Sequence, residues 1–128
     1  MSNRDHAHLL LQLAQADVRA VRGMADKTLF SDAIVGFHAQ QAVEKALKAI
    51  LSMHAIIYPK THDLDELGAM VRQHVPTALT IVDEILALTE YAVQYRYDFF
   101  PEVEPLDRQH IADVVSAFVD QISAALPQ

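Results

Sequence analysis

The stretch SDAIVGFHAQQAVEKALKAILSMH, residues 31–54, decides the fold. It is rich in the strong helix formers Ala, Lys, Glu, Gln and Leu, and Ser31-Asp32 is a capping pair at its start. Val35, Ala39, Val43, Ala46, Leu47 and Ile50 recur at helical spacing and form one apolar arc. His38, Gln41, Lys45 and Lys48, spaced 3, 4 and 3 apart, form a polar stripe on the other side, flanked by Glu44. The segment predicts a helix from Ser31-Asp32 to about His54. Tyr58-Pro59 stops anything further, because a residue before proline avoids the α region.

The same periodicity extends outward in both directions. Leu9, Leu10, Leu13, Ala16, Ala20, Val21 and Met24 predict a first helix from about Asn3 to Met24, with Ser2 or Asn3 as N-cap. Beyond Pro59, Thr61 reads as the N-cap of a short helix, about His62 to His74. Pro76 starts or precedes a further helix that runs to about Tyr97. Asp98 to Pro105 is a loop with two prolines. A last helix, about Leu106 to Ala125, carries Leu106, Ile111, Val114, Val115, Phe118 and Ile122 on one face. Short loops make sequential helices antiparallel neighbours. The expectation is an all-α, up-and-down four-helix bundle, with one extra short helix in the connection between long helices 2 and 3. At 128 residues the chain has the size of one domain, spanning 1–128.

Composition narrows the function classes. Only 3 glycines and 5 prolines are too few for the turns of an all-β fold. With no cysteine there is no disulfide, thiolate metal site or Cys nucleophile. A formal charge of −7 excludes nucleic-acid binding by bulk positive charge, though not by a local basic patch. No apolar run is long enough to span a bilayer, and the N-terminus lacks the pattern of a signal peptide. A cytoplasmic protein without membrane contact is expected.

Two charges fall on arcs that otherwise read as apolar. Asp17 projects among Leu9, Leu13, Ala16, Ala20 and Met24 on the first helix. Arg96 lies one turn beyond Ala92 on the fourth, whose arc holds Ile81, Val82, Ile85, Ala92 and Val93. Buried charges persist when paired, so Asp17 and Arg96 are either partners in one salt bridge or neighbours at the mouth of one polar cleft. The stripe of His38, Gln41, Lys45 and Lys48 suits a phosphate-bearing ligand: lysine supplies point charge, and glutamine and histidine supply directed hydrogen bonds. The plainer reading is a solvated helix face with Glu44–Lys48 as an i,i+4 pair.

Four segments resemble, in order, those of HEPN domains, the "higher eukaryote and prokaryote nucleotide-binding" family. Phe37-His38-Ala39-Gln40-Gln41-Ala42-Val43-Glu44-Lys45-Ala46-Leu47-Lys48-Ala49 is similar to the family's second-helix signature. Ala16-Asp17-Val18 resembles its first-helix acidic–hydrophobic pair, Pro59-Lys60-Thr61-His62-Asp63-Leu64 its connector, and Tyr91 to Tyr97 its Tyr-x-x-x-x-Arg-Tyr segment. The resemblance covers about residues 7 to 122. It implies a helical bundle, commonly a homodimer, that acts beside a nucleotide or RNA. In many prokaryotic members it also implies a minimal nucleotidyltransferase as partner in a toxin–antitoxin pair. Carried over residue by residue, it marks His38, Gln41, Lys45, Lys48, His62 and Arg96 as nucleotide- or RNA-binding, and Asp17, Thr61, Asp63 and Arg96 as a structural polar network. Ribonuclease members carry an Arg followed by four to six residues and then His. Here Arg96 is followed by Tyr97, Asp98, Phe99, Phe100, Pro101, Glu102 and Val103, and the next histidine is His110. The primary expectation is a binding module with no catalytic residue. The alternatives are a divergent metal-independent ribonuclease using Arg96 with His38 or His62, and a purely structural protein–protein module.

Other constellations are weaker. His38, His62-Asp63 and Asp83 or Asp113 only loosely mimic a metal-dependent phosphohydrolase pattern, so no metal or cofactor is expected. The isolated glycines Gly23, Gly36 and Gly68 exclude a Gly-rich phosphate loop, and Gly36 allows close approach by another helix. Tyr91, Tyr95, Tyr97, Phe99 and Phe100 read as core and interface.

Overall fold

The computed structural model describes residues 2–92 and 105–127. Its helices are α1 (Asn3–Gly23), α2 (Asp32–Met53), α3 (Leu64–His74), α4 (Asp83–Leu86) and α5 (Arg108–Ala125), and the chain is helical again at residues 89–92. No strand occurs among the described residues. The fold is all-α, and its helices pack as a bundle. The three long helices α1, α2 and α5 pack against one another, α3 lies on α2, and α4 lies on α3. Arg22–Asp113 and His8–Pro127 contacts run α1 and α5 in opposite directions. Among the described residues no helix is long and apolar enough to cross a membrane.

Each long helix starts on a side chain that accepts an otherwise orphaned N–H. Ser2 Oγ accepts from Asp5 N–H at 3.1 Å, and the Asp5 carboxylate takes the Ser2 N–H at 3.4 Å, a reciprocal capping box. Ser31 Oγ accepts from Ile34 N–H, and the Asp107 carboxylate accepts from His110 N–H. The short α3 is capped by Asp63, not by the expected Thr61. Thr61 Oγ1 instead accepts the N–H of Asp63 at 3.1 Å and fixes the capping residue itself. α2 ends in a Schellman turn: Ala55 N–H donates to Ser52 O and Ile56 N–H to Leu51 O. This places Ala55 at φ 56°, where a Cβ crowds the following carbonyl. Ala55→Gly is therefore expected to raise stability by about 1 kcal/mol, read as a higher urea midpoint at unchanged slope. A midpoint that stays or falls would contradict the strain.

α2 is the central helix and is buried on most of its circumference, with Val35, Ala39, Ala42, Val43, Ala46, Leu47, Ala49, Ile50 and Leu51 in the core. The expected apolar face of α5 is correct: Ile111, Val115, Phe118 and Ile122 are buried. Two other expectations need correction. On α1 the buried stripe is Ala7, Leu11, Ala14, Val18 and Val21, whereas Leu9 and Leu13 are 41% and 43% exposed. Both stripes are apolar and helically spaced, so periodicity alone does not choose between them. Asp17 thus flanks the buried stripe; it does not sit in its middle.

The fourth helix does not begin at Pro76. Residues 75–82 are non-helical, α4 is a single turn, and a turn at Ala87-Leu88 interrupts it. The β-branched residues of Thr77–Val82 are poor helix formers, and other side chains take over their backbone bonding. The Gln121 amide accepts from Thr80 N–H at 2.6 Å and donates to Thr80 O at 3.2 Å, and Arg72 donates to Ile81 O at 2.6 Å. Val93, Tyr95, Arg96, Tyr97, Phe99 and Phe100 lie outside the described residues.

Gly36 and Arg108 organise the remaining contacts. The Tyr91 ring lies directly on the α2 backbone at Gly36, where any Cβ would fall within it. Arg108, at the start of α5, is buried and donates to the Asp32 carboxylate at 3.0 and 3.2 Å, to Met24 O at 2.8 Å and to Phe30 O. It fastens the α1–α2 turn to α5.

Candidate functional site

The α2 stripe is neither a dry core nor a solvated face. His38, Gln41, Lys45 and Lys48 are all part-buried, with α1 on one side and the segment before α3 on the other. Two carboxylates organise it into two groups. In the first, Asp17 from α1 accepts at Oδ2 from Lys45 Nζ at 2.6 Å, and its Oδ1 lies 3.0 Å from His38 Nδ1. In the second, Glu44 accepts at Oε1 from Gln40 Nε2 at 3.0 Å, with His62 Nδ1 at 2.8 Å, and at Oε2 from Lys48 Nζ at 3.1 Å. Gln41 joins the groups, its Nε2 donating to Gln40 Oε1 at 2.7 Å. Gln40 Nε2 also donates to His62 O at 3.2 Å and so anchors the connector backbone. Lys48 Nζ lies 5.8 Å from the centroid of the Tyr58 ring, within reach of a cation–π attraction.

The electrostatics follow from this pairing. Burial pushes the Glu44 carboxyl up, but hydrogen bonds from Gln40, His62 and Lys48 outweigh that effect and hold it below its ordinary value. Each of the two carboxylates, part-buried Asp17 and buried Glu44, thus has an ammonium and an imidazole on it. Among the described residues no buried side-chain nitrogen or oxygen lacks a partner. The lysines and histidines are held in place by internal anions while their outer edges remain partly accessible.

The structure brings together Asp17, His38 and Lys45, and separately Lys48 and His62, with Gln41 between the two groups. It does not bring Thr61 or Asp63 to Asp17: both serve the start of α3. Arg96 lies outside the described residues, so its pairing with Asp17 is not seen; Asp17 bonds His38 and Lys45. Among the described residues no group of three or more His, Asp or Glu is placed to hold a metal ion.

Sequence reasoning missed two residues. Gln40 is wholly buried, and its signal was an amide set between Ala39 and Val43 on the apolar side of α2. Arg108 sits in the first turn of α5, where the helix dipole disfavours a cation; such a placement signals that its charge is used elsewhere.

A family model for the HEPN domain matches residues 7–124, nearly the whole chain. No curated protein and no solved structure matches it.

Proposed function

Since the chain belongs to the HEPN domain family, we propose that it is a binding module for a nucleotide or RNA, received on the α2 row by His38, Gln41, Lys45 and Lys48, with His62 from the segment before α3 and Arg96 as further contacts. The observation that carries this reading is the pair of carboxylates, part-buried Asp17 and buried Glu44, that hold two lysines and two histidines along one part-exposed strip. Preset cations of this kind bind phosphate without the cost of ordering long side chains. The absence of a histidine in the window after Arg96 favours binding over cleavage. The minimal nucleotidyltransferase partner of a toxin–antitoxin-type system and the homodimer belong to the same proposal. The exposed Leu9 and Leu13 offer apolar area for a second subunit, and co-purification with a co-expressed nucleotidyltransferase tests the partnership.

Calorimetric titration with ATP, GTP and a short RNA tests the site. One of them is expected to bind, and Lys45→Ala to weaken it about tenfold, the cost of one charge-assisted hydrogen bond. The variant's helical circular dichroism should match that of the parent, because Asp17 keeps His38. No heat with any ligand, or full affinity in Lys45→Ala, would refute the site.

A further inference from the structure

We propose that His38 couples ligand binding to proton uptake, so that the α2 row accepts a phosphate oxygen at this position only when the imidazole is protonated. The inference rests on the nucleotide reading and names a regulation of the same site. An ionised carboxylate only accepts hydrogen bonds. Asp17 Oδ1 lies 3.0 Å from His38 Nδ1, so Nδ1 carries a hydrogen whether the ring is neutral or charged. The tautomer is thereby fixed. In the neutral ring Nε2 presents a lone pair; in the imidazolium it presents an N–H.

Nε2 is the edge turned from Asp17, the side chain is about one-third exposed, and Nε2 has no hydrogen-bond partner among the described residues. Among the described residues, the charged groups at His38 are Asp17 from α1, on its Nδ1, and Lys45 from α2, on the other oxygen of Asp17. The Phe37 ring packs against the imidazole with centroids 5.7 Å apart and adds no charge. A phosphate oxygen that approaches the neutral ring at Nε2 meets a lone pair. Approaching the protonated ring, it meets one added positive charge and a donor. A ribose hydroxyl, which can donate, suits the neutral ring instead.

The test uses an RNA tetranucleotide with a 5′-hydroxyl end, whose phosphodiesters do not titrate between about pH 5.5 and 8. Affinity measured by fluorescence anisotropy is expected to fall, by about tenfold in all, as pH rises between these limits, the loss of one charge-assisted hydrogen bond. The fall should persist in His62→Gln, which removes the other imidazole of the site, and adding His38→Gln should flatten it; circular dichroism at each pH confirms that the variants stay folded. A flat profile in His62→Gln, or a slope that survives the added His38→Gln, overturns the inference while the nucleotide reading stands. Absence of binding at every pH removes the nucleotide reading, and this inference with it.

Discussion

Glu44→Ala is expected to lower stability by about 3–5 kcal/mol, the loss typical when one partner of a buried ion pair is removed. The side chain is buried and both oxygens are engaged, by Gln40 and His62 on one and by Lys48 on the other. Truncation strands the wholly buried Gln40 amide and an ammonium that is itself mostly covered. Glu44→Gln should cost less, because an acceptor remains. The pH dependence has a definite sign. The folded-state pKa of Glu44 lies below its ordinary value of 4.5. Its ionised form therefore contributes stability that is fully present above about 4.5 and is lost as pH falls through the lower, folded value. The gap in urea midpoint between the parent protein and Glu44→Gln should narrow across that range. A loss under about 1 kcal/mol for Glu44→Ala at neutral pH would show that the network relaxes at little cost.

Gly36→Ala should be nearly as damaging, at about 3 kcal/mol, even though alanine is the better helix former. The added methyl would occupy the volume of the Tyr91 ring, which is buried and part of the core. Either the ring leaves or the 89–92 segment lifts off α2. A double-mutant cycle separates this clash from any backbone effect. In a Tyr91→Ala background the clash is gone, and Gly36→Ala should become neutral or stabilise by roughly 1 kcal/mol through helix propensity. Equal costs in both backgrounds would show that the ring is not the obstacle.

The parts of the fold that were legible in the sequence share a physical cause. α2 and α5 carry apolar arcs with no competing stripe, so spacing alone placed Val35, Ala39, Val43, Ala46, Leu47 and Ile50 of α2 and Ile111, Val115, Phe118 and Ile122 of α5 in the core, though burial of α2 extends further round, to Gln40, Ala42, Glu44, Ala49 and Leu51. α1 carries two apolar stripes, and only packing against α2 and α5 selects Ala7, Leu11, Ala14, Val18 and Val21 over Leu9 and Leu13. The break before α4 depends on Gln121 and Arg72, side chains from other helices that satisfy the backbone at Thr80 and Ile81; local propensity carries only half of that signal. At the site, the 3–4–3 spacing placed His38, Gln41, Lys45 and Lys48 on one strip. It did not reveal which anion each cation meets, because the Asp17–Lys45 and Glu44–His62 pairs join segments 28 and 18 positions apart.

Arg108 has a kinetic consequence. Its partners Met24, Phe30 and Asp32 are 84, 78 and 76 positions distant along the chain, so the clamp closes only once α5 has docked, after most of the chain's entropy has been surrendered. Interactions absent from the folding transition state act on the rate of opening and not on the rate of folding. A clamp that closes after the transition state would do little to hasten assembly and would lengthen the lifetime of the finished molecule.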